Sequence, residues 1–254
     1  MRSAIIAAVL PLSLLIAPLT TFAAGGHGPE LQAANIDLKD KASLQRGAKY
    51  FANYCMGCHS LQYMRYNRMA ADLDIPEDEL TENLIFGDAK PGDLMTNALR
   101  PEDGADWFGT EIPDLSLVTR WRNPDWVYTY LKSFYVDDTR PYGVNNLIFD
   151  KVGMPHPLSH LQGIQEPVYA EADGHGGEGG GAPGHMIGLQ LTQPGQLSVE
   201  EYDNMVRDLT NFLTYVGEPY KLERRSFGLY VLLFLGLMFI LAYYLKKEYW
   251  KDIH

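Results

Sequence analysis

Residues Phe227 to Leu245 form a run of 19 residues without a charge. At about 1.5 Å rise per residue, such a helix covers roughly 28 Å, close to the hydrocarbon thickness of a bilayer. A helix in a water-soluble core rarely stays charge-free over that length, because one of its faces meets solvent. Arg224 and Arg225 precede the run, and Lys246 and Lys247 follow it. Tyr230, Tyr243, Tyr244, Tyr249 and Trp250 supply rings suited to the two interfaces. The run predicts a transmembrane helix over 227–245, entered through a short link at 221–226.

A second apolar stretch opens the chain. After Arg2, residues Ala4 to Leu19 are interrupted only by Pro11, Ser13 and Pro18. Small residues at Thr21 and Ala23 then fit a secretory signal peptide over 1–23, with cleavage after Ala23 or, alternatively, Ala24. Two prolines and the short run argue against a spanning helix there. Positive charge is balanced about the C-terminal run: Lys221, Arg224 and Arg225 on one side, Lys246, Lys247 and Lys251 on the other. The leader therefore sets the orientation, with 24–220 exported and 246–254 inside. In a bacterium this describes a single-pass protein of the inner membrane with a periplasmic domain and a cytoplasmic tail.

That topology divides the charge. The chain carries 21 Lys plus Arg against 32 Asp plus Glu, a net of −11. Residues 24–220 hold 14 against 29, a net of −15, and the remaining segments sum to +4. A nucleic-acid binder would need a basic face to neutralise phosphates, so that class is excluded. An acidic exported domain is instead suited to steering a basic partner. Two Cys in 254 residues exclude a disulfide-dense scaffold.

Both cysteines fall in one motif, Cys55-Met56-Gly57-Cys58-His59. C-x-x-C-H is the attachment signature of haem c: two thiols add to the two vinyl groups of one haem, and the adjacent imidazole reaches the iron. A thioredoxin-like dithiol would leave His59 without a role. A zinc site would need further ligands such as a second C-x-x-C. A disulfide between residues three apart closes almost no loop. Before the motif, Leu44, Gly47, Ala48, Phe51 and Cys55 recur at helical spacing, with Ser43 as the cap. Gly47 would let another helix approach closely.

An electron-transfer haem takes a sixth ligand, and Met raises its potential. Met64 and Met69 are too near His59 in sequence to reach the opposite face. Met95 is a further candidate, Met205 sits in a helical stretch, and Met186 lies in a Gly-rich segment. Met154, in Val152-Gly153-Met154-Pro155-His156-Pro157, is favoured, because Gly lets the backbone approach a ring and the prolines stiffen the loop. His156 is its rival. Either Arg120 or Arg122 could pair with an anionic propionate. Asn123-Pro124-Asp125 opens a helix over Trp126 to Tyr135. Ser198-Val199-Glu200-Glu201 is a capping box that starts a helix through Val216, and this helix should cross the first one. Residues 171–188, with eight Gly plus His175 and His185, read as a surface loop.

The leader, the single C-x-x-C-H, Ile112-Pro113-Asp114-Leu115-Ser116, Gly153-Met154-Pro155 and the ending Lys247-Glu248-Tyr249-Trp250-Lys251-Asp252 together resemble the cytochrome c1 family. The ending and Trp107-Phe108-Gly109-Thr110 resemble its proteobacterial form. The resemblance implies a mainly α, cytochrome c-type haem domain with long loop insertions and one C-terminal transmembrane helix. It implies one covalent haem c, held by Cys55 and Cys58, with His59 as proximal and Met154 as distal iron ligand. Arg122 is implied as a propionate partner and Trp126 as an aromatic beside the haem. It further implies a non-catalytic subunit of a dimeric ubiquinol–cytochrome c oxidoreductase, flanked by cytochrome b and membrane lipid. Such a subunit takes electrons from the Rieske iron–sulfur protein and passes them to a soluble or tethered cytochrome c. Some relatives brace the distal-ligand region with a second Cys pair, which this chain lacks. Met154 follows His59 by 95 positions, a separation that leaves room for partner-binding insertions.

Overall fold

The computed structural model describes residues 29–170 and 186–251. The predicted signal peptide and positions 171–185 of the Gly- and His-rich segment lie outside the described residues. In chain order the elements are α1 (Lys41–Tyr50), β1 (Leu61–Arg65), α2 (Tyr66–Asp72), α3 (Glu77–Asn83), β2 (Leu94–Met95), α4 (Pro101–Phe108) and α5 (Val118–Trp121). There follow α6 (Pro124–Lys132), β3 (Phe134–Val136), β4 (Val144–Asn146), α7 (Ser159–Gln162), β5 (Gly163–Tyr169), β6 (Met186–Pro194), α8 (Val199–Gly217) and α9 (Lys221–Tyr249).

The core is built on the crossing of α1 and α8. Leu44, Gly47 and Ala48 of α1, with Phe51 beyond its end, are buried, as are Met205, Val206, Leu209, Phe212, Leu213 and Val216 of α8. Each set recurs at three- and four-residue steps, so each helix presents one apolar stripe to the other. Gly47 stands at the point of contact: a Cβ there would lie 2.2 Å from the Asp208 carbonyl oxygen and 2.6 Å from Phe212 Cβ. A forked ion pair beside the crossing joins Arg46 Nε to Asp208 Oδ2 at 2.6 Å and Nη2 to Oδ1 at 3.0 Å. The α1 cap differs from the expected Ser43. Asp40 accepts the Ser43 N–H at 3.0 Å, while the buried Ser43 hydroxyl accepts from Asn211 of α8. The capping box of α8 is present in both halves, Ser198 to the Glu201 N–H and Glu201 back to the Ser198 N–H.

Helix α6 packs against α8 through Val127, Tyr128 and Leu131. It ends three residues earlier than the sequence pattern predicts. The Ser133 hydroxyl turns back to donate to the Thr129 carbonyl at 2.6 Å, and Phe134–Val136 leaves as a strand. That strand pairs antiparallel with β4, Phe134 opposite Asn146 and Val136 opposite Val144. Two further antiparallel pairs, β1–β2 and β5–β6, complete the strand content of the described residues. Two-stranded ribbons this short do not persist alone, and each leans on a neighbour: β1 on α2, and β5 on β3 and α7.

Helix α9 runs 29 residues, about 44 Å at helical rise, and no side chain along it is buried. Among the described residues it is the one helix long and apolar enough to cross a membrane. Residues 221–226, expected as a link, are its first turns. Ahead of them, Tyr220 takes a hydrogen bond from Arg68 at 2.8 Å, and Glu218 pairs with Arg224 at 2.6 Å.

Candidate functional site

Helix α1 continues through Phe51–Cys55 as one widened π turn, in which the Met56 N–H reaches back to the Phe51 carbonyl at 2.9 Å. Such widened turns collect at functional positions. The Cys55 carbonyl then accepts from both the Cys58 N–H (3.1 Å) and the His59 N–H (2.8 Å), folding the five-residue motif into a tight loop. Met56 points into the core and takes the Tyr66 hydroxyl on its sulfur at 3.4 Å. Both cysteines are free thiols, Cys55 half-buried and Cys58 exposed. Burial and the neighbouring Cys58 push the Cys55 thiol up to about 12.

The Ile-Pro-Asp-Leu-Ser segment lies along the strand that follows the motif. Pro113 O sits 2.8 Å from His59 Nδ1, Leu115 N–H donates to Ser60 O, and Asp114 accepts from the Gln62 and Ser116 N–H groups. A carbonyl only accepts, so Nδ1 carries the proton and Nε2 keeps a free lone pair. Burial lowers the His59 pKa, which further favours the neutral ring. A neutral imidazole, oriented through one nitrogen and free at the other, is the form that binds a metal.

The segment leads into Arg122, whose guanidinium lies 4.0 Å from the Trp121 ring centre and 4.7 Å from that of Trp126. Its buried Nε has no hydrogen-bond partner among the described residues. A buried charged donor without an acceptor is a costly arrangement in isolation. An anionic group placed there would supply the missing acceptor, as a propionate does. Arg120, the other candidate from sequence, is exposed. Trp126 stacks on Tyr130 at 4.9 Å and 11°, and the Tyr130 hydroxyl points to Met154 Sδ at 4.0 Å. Thus Arg122, Trp126, Tyr130 and Met154 are in serial contact.

The Met154 loop has no disulfide but is pinned in other ways. The buried Asn145 side chain accepts the Lys151 N–H on Oδ1 at 2.9 Å, while its Nδ2 donates to Asp137 and Asp150. Gly153 lies under the end of α4, where a Cβ would be 3.3 Å from the Phe108 carbonyl oxygen. His156, the rival ligand, stacks on Phe134 at 4.5 Å and donates through Nε2 to Gln162 Oε1 at 2.7 Å. Met64, Met69, Met95 and Met205 are all buried in the core, whereas Met186 begins β6. Tyr130 and Asn145 were absent from the candidates read in sequence. Their roles depend on contacts 24 and 6 residues away that no local pattern announces.

Free thiols at C-x-x-C, an oriented neutral imidazole, an unsatisfied Arg beside two indoles and a braced thioether are the donor types that a c-type haem takes. Together with the α1–α8 crossing they are the marks of a c-type cytochrome domain, here followed by one helix long and apolar enough to cross a membrane. Comparison with known proteins narrows this class. The model described as "Cytochrome C1 family" matches residues 33–166 and 196–253. The chain belongs to the cytochrome c1 family. It is 64 % identical to the cytochrome c1 of Allochromatium vinosum, over 97 % of this chain and 98 % of that one. It is 47 % identical to a Nitrosomonas europaea protein named ammonia monooxygenase gamma subunit, over 96 % and 97 %. It is 23 % identical to the mitochondrial cytochrome c1 haem protein of Kluyveromyces lactis, over 84 % and 72 %. The family match skips 167–195, which takes in most of the β5–β6 ribbon.

Proposed function

We propose that this chain is the membrane-anchored haem c subunit of a respiratory ubiquinol–cytochrome c oxidoreductase. In this role it accepts electrons from a Rieske iron–sulfur protein and delivers them to a cytochrome c. The observation that carries the reading is the His59–Pro113 hydrogen bond at the end of C-x-x-C-H, which leaves Nε2 free as a ligand. Cys55 and Cys58 would carry the thioether links, His59 and Met154 would ligate the iron, and Arg122 would neutralise a propionate beside Trp126. The bound haem supplies a one-electron couple. The residues fix its orientation, keep water from it and set its potential, and no bond is made or broken on a substrate. Helix α9 anchors the domain beside cytochrome b in a dimeric complex, with the haem domain in the periplasm.

Two measurements test this. A c-type absorbance spectrum that survives acid–acetone extraction supports covalent haem, and its loss on extraction refutes it. Purification in mild detergent should bring down cytochrome b and a Rieske protein. Co-elution with oxygenase subunits instead would place the chain with its Nitrosomonas relative.

A further inference from the structure

We propose that Tyr130 is a positioning residue for the distal ligand, donating its hydroxyl proton to Met154 Sδ and so tuning how strongly that sulfur binds iron. This rests on the reading of Met154 as the distal ligand. The hydroxyl lies 4.0 Å from Sδ and has no other hydrogen-bond partner among the described residues. The ring has little freedom to turn away. Trp126 covers one face at 4.9 Å, and Phe134 and Phe149 meet it edge-on at 5.2 and 6.3 Å. The backbone behind it is held as well, the Tyr130 carbonyl accepting the Asn146 amide at 2.8 Å. A phenol with its ordinary pKa near 10 is a donor throughout the physiological range.

A thioether sulfur has two lone pairs. One can bind a metal while the other accepts a hydrogen bond. A donor on the second pair withdraws electron density from sulfur, and a weaker sulfur donor favours the reduced, electron-richer iron. Tyr130 thus raises the reduction potential beyond what the Met ligand alone confers. A tyrosine that merely filled space would be replaceable by phenylalanine without any change in potential.

The test uses the full haem-loaded chain in detergent, comparing wild type, Tyr130→Phe, Met154→Leu and a chain with a site-specifically fluorinated tyrosine at 130. The readouts are an equilibrium redox titration and the weak far-red charge-transfer band of thioether-ligated ferric haem. Tyr130→Phe is expected to keep the band and lower the ferrous-to-ferric ratio at fixed ambient potential by about threefold to tenfold, where tenfold is about 59 mV for one electron. The fluorinated ring, a stronger donor of the same shape, should raise the ratio. An unchanged ratio in Tyr130→Phe overturns the inference while leaving the ligand reading intact, provided Met154→Leu loses the band. A band that persists in Met154→Leu removes Met154 as the ligand and the inference with it. If Tyr130→Phe fails to load haem, the fluorinated chain decides: a raised ratio supports the inference and an unchanged one overturns it.

Discussion

Gly47 and Asp208 meet so closely where α1 crosses α8 that a Cβ on Gly47 would lie 2.2 Å from the Asp208 carbonyl oxygen. The obstacle is helix backbone, which cannot swing aside as a side-chain tip can. Gly47→Ala must therefore push the helices apart, and a destabilisation of about 3 kcal/mol is expected. Gly92→Ala, at a position with open space around it, should stay within about 0.5 kcal/mol. Urea unfolding of the two variants beside wild type checks the contrast, and equal midpoints would mean the crossing is looser than described.

Gly47 also marks what the sequence can show. Its place on an apolar helical stripe already implied a close helix contact, and the capping box at Ser198, the apolar run of α9 and the C-x-x-C-H loop were equally legible, because each is a local pattern. The strands were not. Leu94–Met95, Phe134–Val136 and Val144–Asn146 are too short to display an alternating period, and Asn145 and Asn146 are buried polar residues that composition assigns to loops. The α1 cap was misplaced because Asp40 and Ser43 are both good cap residues and only the fold decides that Ser43 serves Asn211. The Pro113 carbonyl that orients His59 lies 54 residues away.

Asn123 has φ +69° and caps α6 by accepting the Trp126 N–H at 2.8 Å. Asn123→Ala loses the cap and keeps the strained backbone, so a loss of about 1–2 kcal/mol is expected. Asn123→Gly relieves the strain and should cost less. Thermal denaturation ranks the three proteins, and Gly faring worse than Ala would contradict this account of the turn.

Two buried phenols make the fold sensitive to alkali. Tyr202 donates to the Leu131 carbonyl at 2.8 Å and Tyr215 to Asp72 at 2.7 Å, and burial is the chief cause holding both pKa values above the ordinary 10. Above pH 10 the unfolded chain loses these protons while the folded chain keeps them. The folded state then binds more protons, and stability falls as pH rises. Denaturant midpoints should drop above pH 10 in wild type and drop less steeply in Tyr202→Phe or Tyr215→Phe. Parallel pH profiles would exclude the two phenols as the cause.

The net charge of −15 over residues 24–220 should speed encounter with a basic electron acceptor. Raising ionic strength from about 0.01 M to 0.15 M shortens the screening length from about 30 to 8 Å. The second-order rate of electron transfer to a basic cytochrome c is expected to fall several-fold over that range. A rate indifferent to salt would leave the acidity a matter of solubility alone.

The most direct test of the haem reading is a redox titration of Met154→Leu beside Met186→Leu and His156→Gln. Met154→Leu is expected to lower the ferrous-to-ferric ratio by about a hundredfold or more, roughly 120 mV at 59 mV per tenfold, with the other two close to wild type. An unchanged potential in Met154→Leu, or the large drop appearing in Met186→Leu or His156→Gln instead, would contradict it.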